Sequence, residues 1–267
     1  VKNVARPVGE WNQGRIVRRG PHVEHGPDYP DTRSPWELLN FGRVAEDEKA
    51  GDYPVQSRCY AFNTATKHWW VNDREHPYTT PEGRPFSWIR GYHLGGRSLM
   101  WGRQTYRLSE MDFAANAQDG HGVDWPIRYA DIAPWYDHVE KFAGISGKAE
   151  GLAQLPDGQF LPPMALTAVE KHFRARLGAT YPNRRLTNGR CAHLTQPTRE
   201  HEALGRGACQ YRSACERGCS FGAYFSSLSA TLPAALATGN VTILTDAIVH
   251  SVIHDPKTGR ARGVRVI

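Results

Sequence analysis

No run of apolar residues in this sequence approaches the ~18 that a membrane span requires. The first residues also lack the basic, apolar and small-residue order of a secretory leader. A soluble protein is therefore expected; its compartment stays open, with the periplasm one candidate for the complete protein. Concentrated positive charge is missing too. The 33 Lys and Arg are offset by 27 Asp and Glu, which leaves a formal charge of +6, and only short pairs such as Arg18-Arg19 and Arg184-Arg185 cluster. Nucleic-acid binders gather basic side chains into a stripe that follows the phosphates, so no nucleic-acid partner is expected. Internal repeats and low-complexity tracts are absent, which excludes a solenoid or a disordered chain. The sequence has no initiator Met and stops at Val266-Ile267 inside a stretch that reads as a strand, so an internal piece of a longer protein is expected.

What is present suits an ordinary folded protein rich in loops, with 40% hydrophobic and 22% charged residues, 26 Gly and 18 Pro. A chain of 267 residues can bury about three quarters of its unfolded surface. Arg15-Ile16-Val17, between Gly14 and Gly20, reads as the remnant of a strand. Pro21 to Trp36 has no period and reads as a loop; within it His22-Val23-Glu24-His25 has the residue types of a metal pair but reads as solvated surface. Cys59 to Arg90 is irregular and dense in aromatics, and is expected to be a long covering segment. Its Trp69, Trp70 and Trp88 could stack on a sugar ring or simply pack a core.

Helical period becomes clear at Asp131 to Gly144, where Trp135, Val139 and Phe142 recur at i, i+4 and i+7. A second helix is expected after Thr167, which forms a capping box with Glu170, has Val169, Phe173 and Leu177 on one face, and is predicted to end at Gly178. Between these helices Asp157-Gly158 is expected to turn ahead of an extended run, Phe160 to Pro163. Near the C-terminus the pattern predicts a helix over Ser229 to Thr238 and strands near Val241–Leu244, Ala247–His254 and Ala261–Ile267. The last two are joined by the hairpin turn Asp255 to Gly259.

The most informative segment is Arg90-Gly91-Tyr92-His93-Leu94-Gly95-Gly96-Arg97-Ser98-Leu99-Met100-Trp101-Gly102-Arg103. Adjacent glycines let a backbone approach a ligand without a Cβ in the way, and a helix start behind them would offer N–H groups to a phosphate. A Gly-Gly pair alone is equally an ordinary turn. The whole segment, however, resembles the second FAD-contacting motif of the glucose-methanol-choline (GMC) oxidoreductases, in the branch with pyranose oxidases and bacterial sugar dehydrogenases. Trp125-Pro126, followed by Pro134-Trp135-Tyr136, is similar to that family's entry into its substrate domain. Thr231 to Ala235 with Ala247 to Val249 resembles its return to the FAD domain.

The resemblance implies an α/β fold: an incomplete Rossmann-like FAD-binding domain with an inserted mixed α+β substrate-side subdomain. Residues 1–20 would be a remnant of an FAD-domain strand, and 21–122 the covering loops and the Gly-Gly motif. Residues 123–228 would form the substrate-side subdomain and 229–267 the return. It further implies that Arg90, Gly95, Gly96, Ser98, Trp101 and Gly102 contact FAD, and that a backbone group at Val249 contacts its adenine. In pyranose oxidases a His just before the Trp is bonded to the flavin; Met100 stands there, so non-covalent FAD is implied. The implied reaction is oxidation of a CH–OH group of a sugar, polyol or other alcohol by hydride transfer to flavin N5. The family's catalytic His would lie beyond Ile267, so no catalytic residue is assigned. Two departures stand out. The Gly-x-Gly-x-x-Gly pyrophosphate loop is absent, and Ile16-Val17-Arg18-Arg19-Gly20 lacks the acidic residue that would hold the ribose.

Three of the five cysteines fall in one short loop, Cys209, Cys215 and Cys219. An odd, tightly spaced set is a poor disulfide framework, and three thiolates cannot close a tetrahedral zinc site alone, whereas they suit a three-iron cluster. The spacing resembles the iron-sulfur branch of the family's sugar dehydrogenases, which implies electron transfer to an external acceptor protein. Free or partly disulfide-bonded cysteines in a covering loop remain an alternative. So do a non-catalytic iron-sulfur electron carrier and an inactive fragment. Cys59 and Cys191 are isolated and read as structural.

Overall fold

The computed structural model describes residues 34–267. The strand expected at Gly14–Gly20, the His22–His25 cluster and nearly all of the loop Pro21–Trp36 lie outside the described residues. The described chain divides into two compact units, one running through Ala230 and the other comprising Thr231–Ile267.

The larger unit carries helices α1 (Glu46–Gly51), α2 (Glu110–Asp119), α3 (Tyr129–Ala143), α4 (Ala168–Thr180) and α5 (Arg199–Ala203). Two short strands, β1 (Ile145–Ser146) and β2 (Cys191–Ala192), pair antiparallel, Ile145 opposite Ala192 and Ser146 opposite Cys191. Isolated bridges extend this small sheet: Gln104 pairs with Cys191, His193 with Tyr224, and Ser146 with Leu161. Ala143, Ile145 and Ala192 form the buried cluster there, with Trp101, Phe160 and Phe225 packed against it. Burying a side chain such as Ile145 is worth about 1.5–3 kcal/mol. The cluster thus anchors three distant stretches at one point: the end of the glycine segment, the end of α3, and the chain on either side of the cysteine loop.

Helix α3 occupies the expected stretch and stops at Gly144, whose φ of +76° is the left-handed C-cap that glycine adopts without strain. Its inward face differs from the periodicity reading. Trp135 and Val139 are exposed, and Glu140 and Ala143 are the buried positions, because Arg107 draws the Glu140 carboxylate inward. Helix α4 has the predicted capping box: Thr167 N–H and Oγ1–H donate to Glu170 at 2.7 and 2.8 Å, and Glu170 N–H returns to the Thr167 hydroxyl. It runs through Gly178 to Thr180, since an interior glycine costs only about 1 kcal/mol against Ala and no stop is imposed there. Its apolar residues Val169 and Phe173 stay exposed.

The expected turn at Asp157-Gly158 does not form. The chain instead turns between Leu152 and Leu155, which bridge one another, and Asp157 accepts the N–H groups of Glu150 and Gly151. Cys59–Arg90 is irregular as expected, interrupted only by a short 3-10 turn over Lys67–Trp69.

A wide turn over Ser227–Thr231, at the end of the larger unit, leads into α6 (Leu232–Ala237) of the smaller one, so the single helix expected over Ser229–Thr238 is divided. Val241–Leu244 forms no strand. Strands β3 (Val249–Asp255) and β4 (Arg260–Val266) form the expected antiparallel hairpin. The named strands pair antiparallel in two two-stranded sheets, while the isolated Ser146–Leu161 bridge is parallel. No helix among the described residues is long and apolar enough to cross a membrane.

Candidate functional site

The glycine segment is fixed from beneath. A Cβ on Gly91 would overlap the Met100 side chain and the Trp69 carbonyl, which explains a glycine there and buries Met100 under the loop. Gly95 and Gly96 have φ of +92° and +48°, two successive left-handed residues, before a four-residue 3-10 turn Gly96–Leu99 in place of a longer helix. A Cβ on Gly95 would meet Leu228 at 3.0 Å, whereas one on Gly96 would meet nothing nearer than the Gly91 carbonyl at 4.0 Å. Gly95 is therefore packed from below, and Gly96 faces open space. The Ser98 hydroxyl donates to the Gly95 carbonyl at 2.6 Å and accepts the Ser227 N–H at 2.9 Å, so it staples the loop to its neighbour.

The other members of the predicted set have different surroundings. Trp101 packs edge-on against Phe225 at 6.4 Å and belongs to the core cluster. Gly102 admits the Tyr60 hydroxyl, 3.3 Å from where a Cβ would stand, and its carbonyl faces the Cys191 thiol at 3.9 Å. Arg90 is buried in the covering segment. Its guanidinium reaches Asp73 at 3.2 Å and the His76 carbonyl at 2.7 Å, and lies over the Tyr78 and Trp88 rings. Asp73 also accepts the N–H groups of Val55 and Gln56, and Gln56 in turn accepts the Arg90 N–H. Asp73, Gln56 and Arg90 thus knot the covering segment, and a cavity of about 410 Å³ opens beside the knot between Asp73, Arg58, Tyr78 and Phe86. Trp69 and Trp70 are core residues; Trp88 is half exposed and packs on Tyr78. Val249 lies in the smaller unit, at the start of β3, and is exposed.

The cysteine loop is closed at its base by Gly207 N–H to the Phe221 carbonyl at 2.7 Å and hung from β2's continuation by Cys209 N–H to the Leu194 carbonyl at 2.8 Å. Within it Tyr211 and Ser213 take positive φ, +54° and +58°, and Gly218 takes +95°. All five cysteines are free thiols in this structure. Cys209, Cys215 and Cys219 are near enough that charge on the outer two pushes Cys215 further up after burial has raised it. Cys191 belongs to the same neighbourhood: burial, then Cys215, pushes its thiol up to about 11. Among the described residues no three His, Cys, Asp or Glu side chains are arranged as a formed metal site. Three thiols share one loop, and the buried guanidinium groups beside them, Arg103 and Arg206, form no ion pair with a carboxylate among the described residues.

Sequence reasoning missed these two arginines, as it missed Asp73, Gln56 and the Arg107–Glu140 pair. Their partners lie far along the chain, and no local pattern announces them. Arg103 takes φ +56°, a left-handed conformation that an Arg gives no reason to expect.

A family model described as GMC oxidoreductase matches residues 75–267, well over half of the chain. The chain is 31% identical over 171 residues to paromamine 6'-oxidase of Streptomyces fradiae, covering 62% of the chain and 29% of that protein. It is 25% identical over 167 residues to 2-methyl-1,2-propanediol dehydrogenase of Mycolicibacterium austroafricanum, covering 61% of the chain and 26% of that protein. The aligned part is thus less than a third of the length of either relative.

Proposed function

The chain belongs to the GMC oxidoreductase family, and from that premise we propose that it forms part of an FAD-dependent enzyme oxidising CH–OH groups of sugars, polyols or other alcohols. The observation that carries this reading is the Gly95-Gly96 loop: two successive left-handed glycines, packed from below by Leu228 and open above Gly96. A ligand can approach that backbone without meeting a Cβ, which is what a flavin and its pyrophosphate need. Gly95 and Gly96 are assigned to hold non-covalent FAD, and Ser98 acts by fixing the loop's shape through Gly95 and Ser227.

Arg90, Trp101 and Gly102, which flank that loop in sequence, are assigned to the same cofactor, and Val249 to its adenine. In this reading 1–20 and 229–267 belong to a Rossmann-like FAD domain, 21–122 covers the cofactor, and 123–228 is the substrate-side subdomain. When bound, FAD supplies the acceptor for the two electrons of the alcohol carbon. No catalytic residue is assigned within the chain. Both relatives carry names that describe oxidation, one of paromamine at its 6' position and one of a diol.

A second reading concerns the electron acceptor. The spacing of three cysteines in one loop is its support: an iron-sulfur centre on Cys209, Cys215 and Cys219 would place the protein in the sugar-dehydrogenase branch and pass electrons to a partner protein. The function is tested by assaying the protein expressed from its full reading frame against a panel of sugars, polyols and simple alcohols with a dye as electron acceptor. Turnover that needs FAD and no nicotinamide supports the proposal; turnover that needs a nicotinamide, or none on any alcohol, overturns it.

A further inference from the structure

The cavity of about 410 Å³ in the covering segment falls within the roughly 300–1,000 Å³ of small-molecule sites. Three stretches wall it, around Arg58, Tyr78 and Phe86, and hydrogen bonds that reach far along the chain fix each of them. The Asp73 carboxylate accepts the N–H groups of Val55 and Gln56 at 2.9 and 3.2 Å and holds the Arg90 guanidinium at 3.2 Å. The Tyr78 hydroxyl accepts the Trp88 N–H at 2.8 Å and donates to the Phe86 carbonyl at 2.6 Å, which closes the loop between them. The Arg58 guanidinium crosses to the Ser87 hydroxyl at 2.7 Å. Walls held in this way are shaped before a ligand arrives, which lowers the cost of ordering them.

The charge that these walls present is of one sign. Asp73 is the one carboxylate lining the cavity, and it is spent on Arg90 and on the Val55 and Gln56 N–H groups. Arg58 is the one cation lining it, and it pairs with no carboxylate among the described residues. Its bond to Ser87 runs through Nη1, so the Nε–H and Nη2–H edge is unengaged among the described residues. That edge matches the two oxygens of a carboxylate. Beside it Phe86 is 64% exposed, and Tyr78, backed by the Arg90 guanidinium at 4.9 Å from its centre, adds a second ring. Aromatic rings of this kind pack against the C–H face of a sugar.

We propose that this cavity binds a uronic acid, a pyranose that carries one carboxylate. Arg58 takes the carboxylate, Phe86 and Tyr78 take a C–H face of the ring, and the Thr80 hydroxyl meets a sugar hydroxyl. The same charge acts against an amino sugar, whose ammonium group would meet Arg58 with no free carboxylate to pair with. It also acts against a sugar phosphate, whose second negative charge would find no partner. The inference concerns binding alone and does not rest on the flavin assignment.

The test is equilibrium dialysis of radiolabelled glucuronate against protein from the full reading frame, without an electron acceptor, with unlabelled glucose, glucosamine and glucose 6-phosphate as competitors. Glucuronate is expected to bind, and each competitor to displace it about tenfold less effectively than unlabelled glucuronate or worse, the margin of one charge-assisted pair. Arg58→Gln is expected to remove that margin and leave glucose binding as it was, whereas Phe86→Ala weakens both sugars. Arg58 and Phe86 are exposed, and thermal melts check that the variants fold; Phe86→Ala reads the same site if Arg58→Gln does not. No binding of glucuronate, a competitor that equals it, or folded Arg58→Gln or Phe86→Ala protein that binds it as the wild type does would overturn the proposal. Flavin content and turnover enter none of these readings, so failure here leaves the proposed oxidation standing.

Discussion

The region around Arg90 and Arg107 and the region around the thiol loop bury the same kind of charge and compensate it differently. At Arg107, Glu140 closes a two-bond pair at 2.8 and 2.6 Å, Asp137 adds a third contact, and the guanidinium is held above its ordinary value, chiefly by Glu140. At Arg103 and Arg206 the folded chain leaves carbonyls and rings in place of a carboxylate. At Arg107 the fold provides the counter-charge itself; at the other two it relies on the dipoles of three carbonyls each and on ring faces.

The difference is open to being broken first at its structural side. Glu140→Ala removes the carboxylate of a fully buried pair and also the acceptor of the Gln159 N–H. Stripping one partner from a buried ion pair costs about 3–5 kcal/mol. A loss of that size in a urea titration is expected, the largest effect predicted for any single change outside the loops. A loss under about 1 kcal/mol would mean that Asp137, which also meets Arg107, compensates the charge by itself.

The glycine loop sharpens the contrast between packing and ligand approach. Gly95→Ala places a Cβ at φ +92° against Leu228 and is expected to destabilise the fold by about 1–3 kcal/mol. Gly96→Ala sits in open space at a left-handed φ that costs about 1–2 kcal/mol, yet it puts a methyl where the ligand would approach. Thermal melts should rank Gly95→Ala the less stable of the two, while flavin content per protein should fall in both. If Gly96→Ala keeps its full flavin content, this backbone is not the surface that FAD approaches.

Ser98→Ala is expected to cost about 1 kcal/mol through its two hydrogen bonds, leaving the Ser227 N–H without its acceptor. A denaturation midpoint equal to the wild type's would contradict the staple assigned to Ser98.

The smallest effect is expected at α4, where the Thr167 N–H and hydroxyl hold the Glu170 carboxyl below its ordinary value. A carboxyl with a depressed folded value contributes stability above its unfolded pKa and loses it as pH falls through the folded one. Glu170→Gln should therefore flatten the acid side of the stability profile slightly and leave the alkaline side as it was. An identical acid limb in both proteins would show the box to be without effect.

The parts legible in the sequence were those whose cause is local. Thr167 and Glu170 lie three residues apart, Gly144 stops α3 by its own φ, and Gly95 and Gly96 declare a left-handed turn by lacking a Cβ. Helix α2 escaped notice because Phe113 is its one buried residue, too little to set a period. The inward face of α3 was hidden because it turns on Arg107, 33 residues from Glu140 in sequence. Asp157 reads as a turn residue beside Gly158, yet its carboxylate caps Glu150 and Gly151 and meets Arg190, neither of which its neighbours in sequence reveal. The carboxylate-free arginines lay beyond reach for the same reason, since a missing partner shows only in three dimensions.

The most direct measurement is the visible spectrum of the full-reading-frame protein, purified without air and titrated with sugars and simple alcohols. The account predicts flavin absorption that bleaches on adding an oxidisable alcohol and returns with an electron-accepting dye. A protein without flavin, or a flavin that no alcohol reduces, would contradict it.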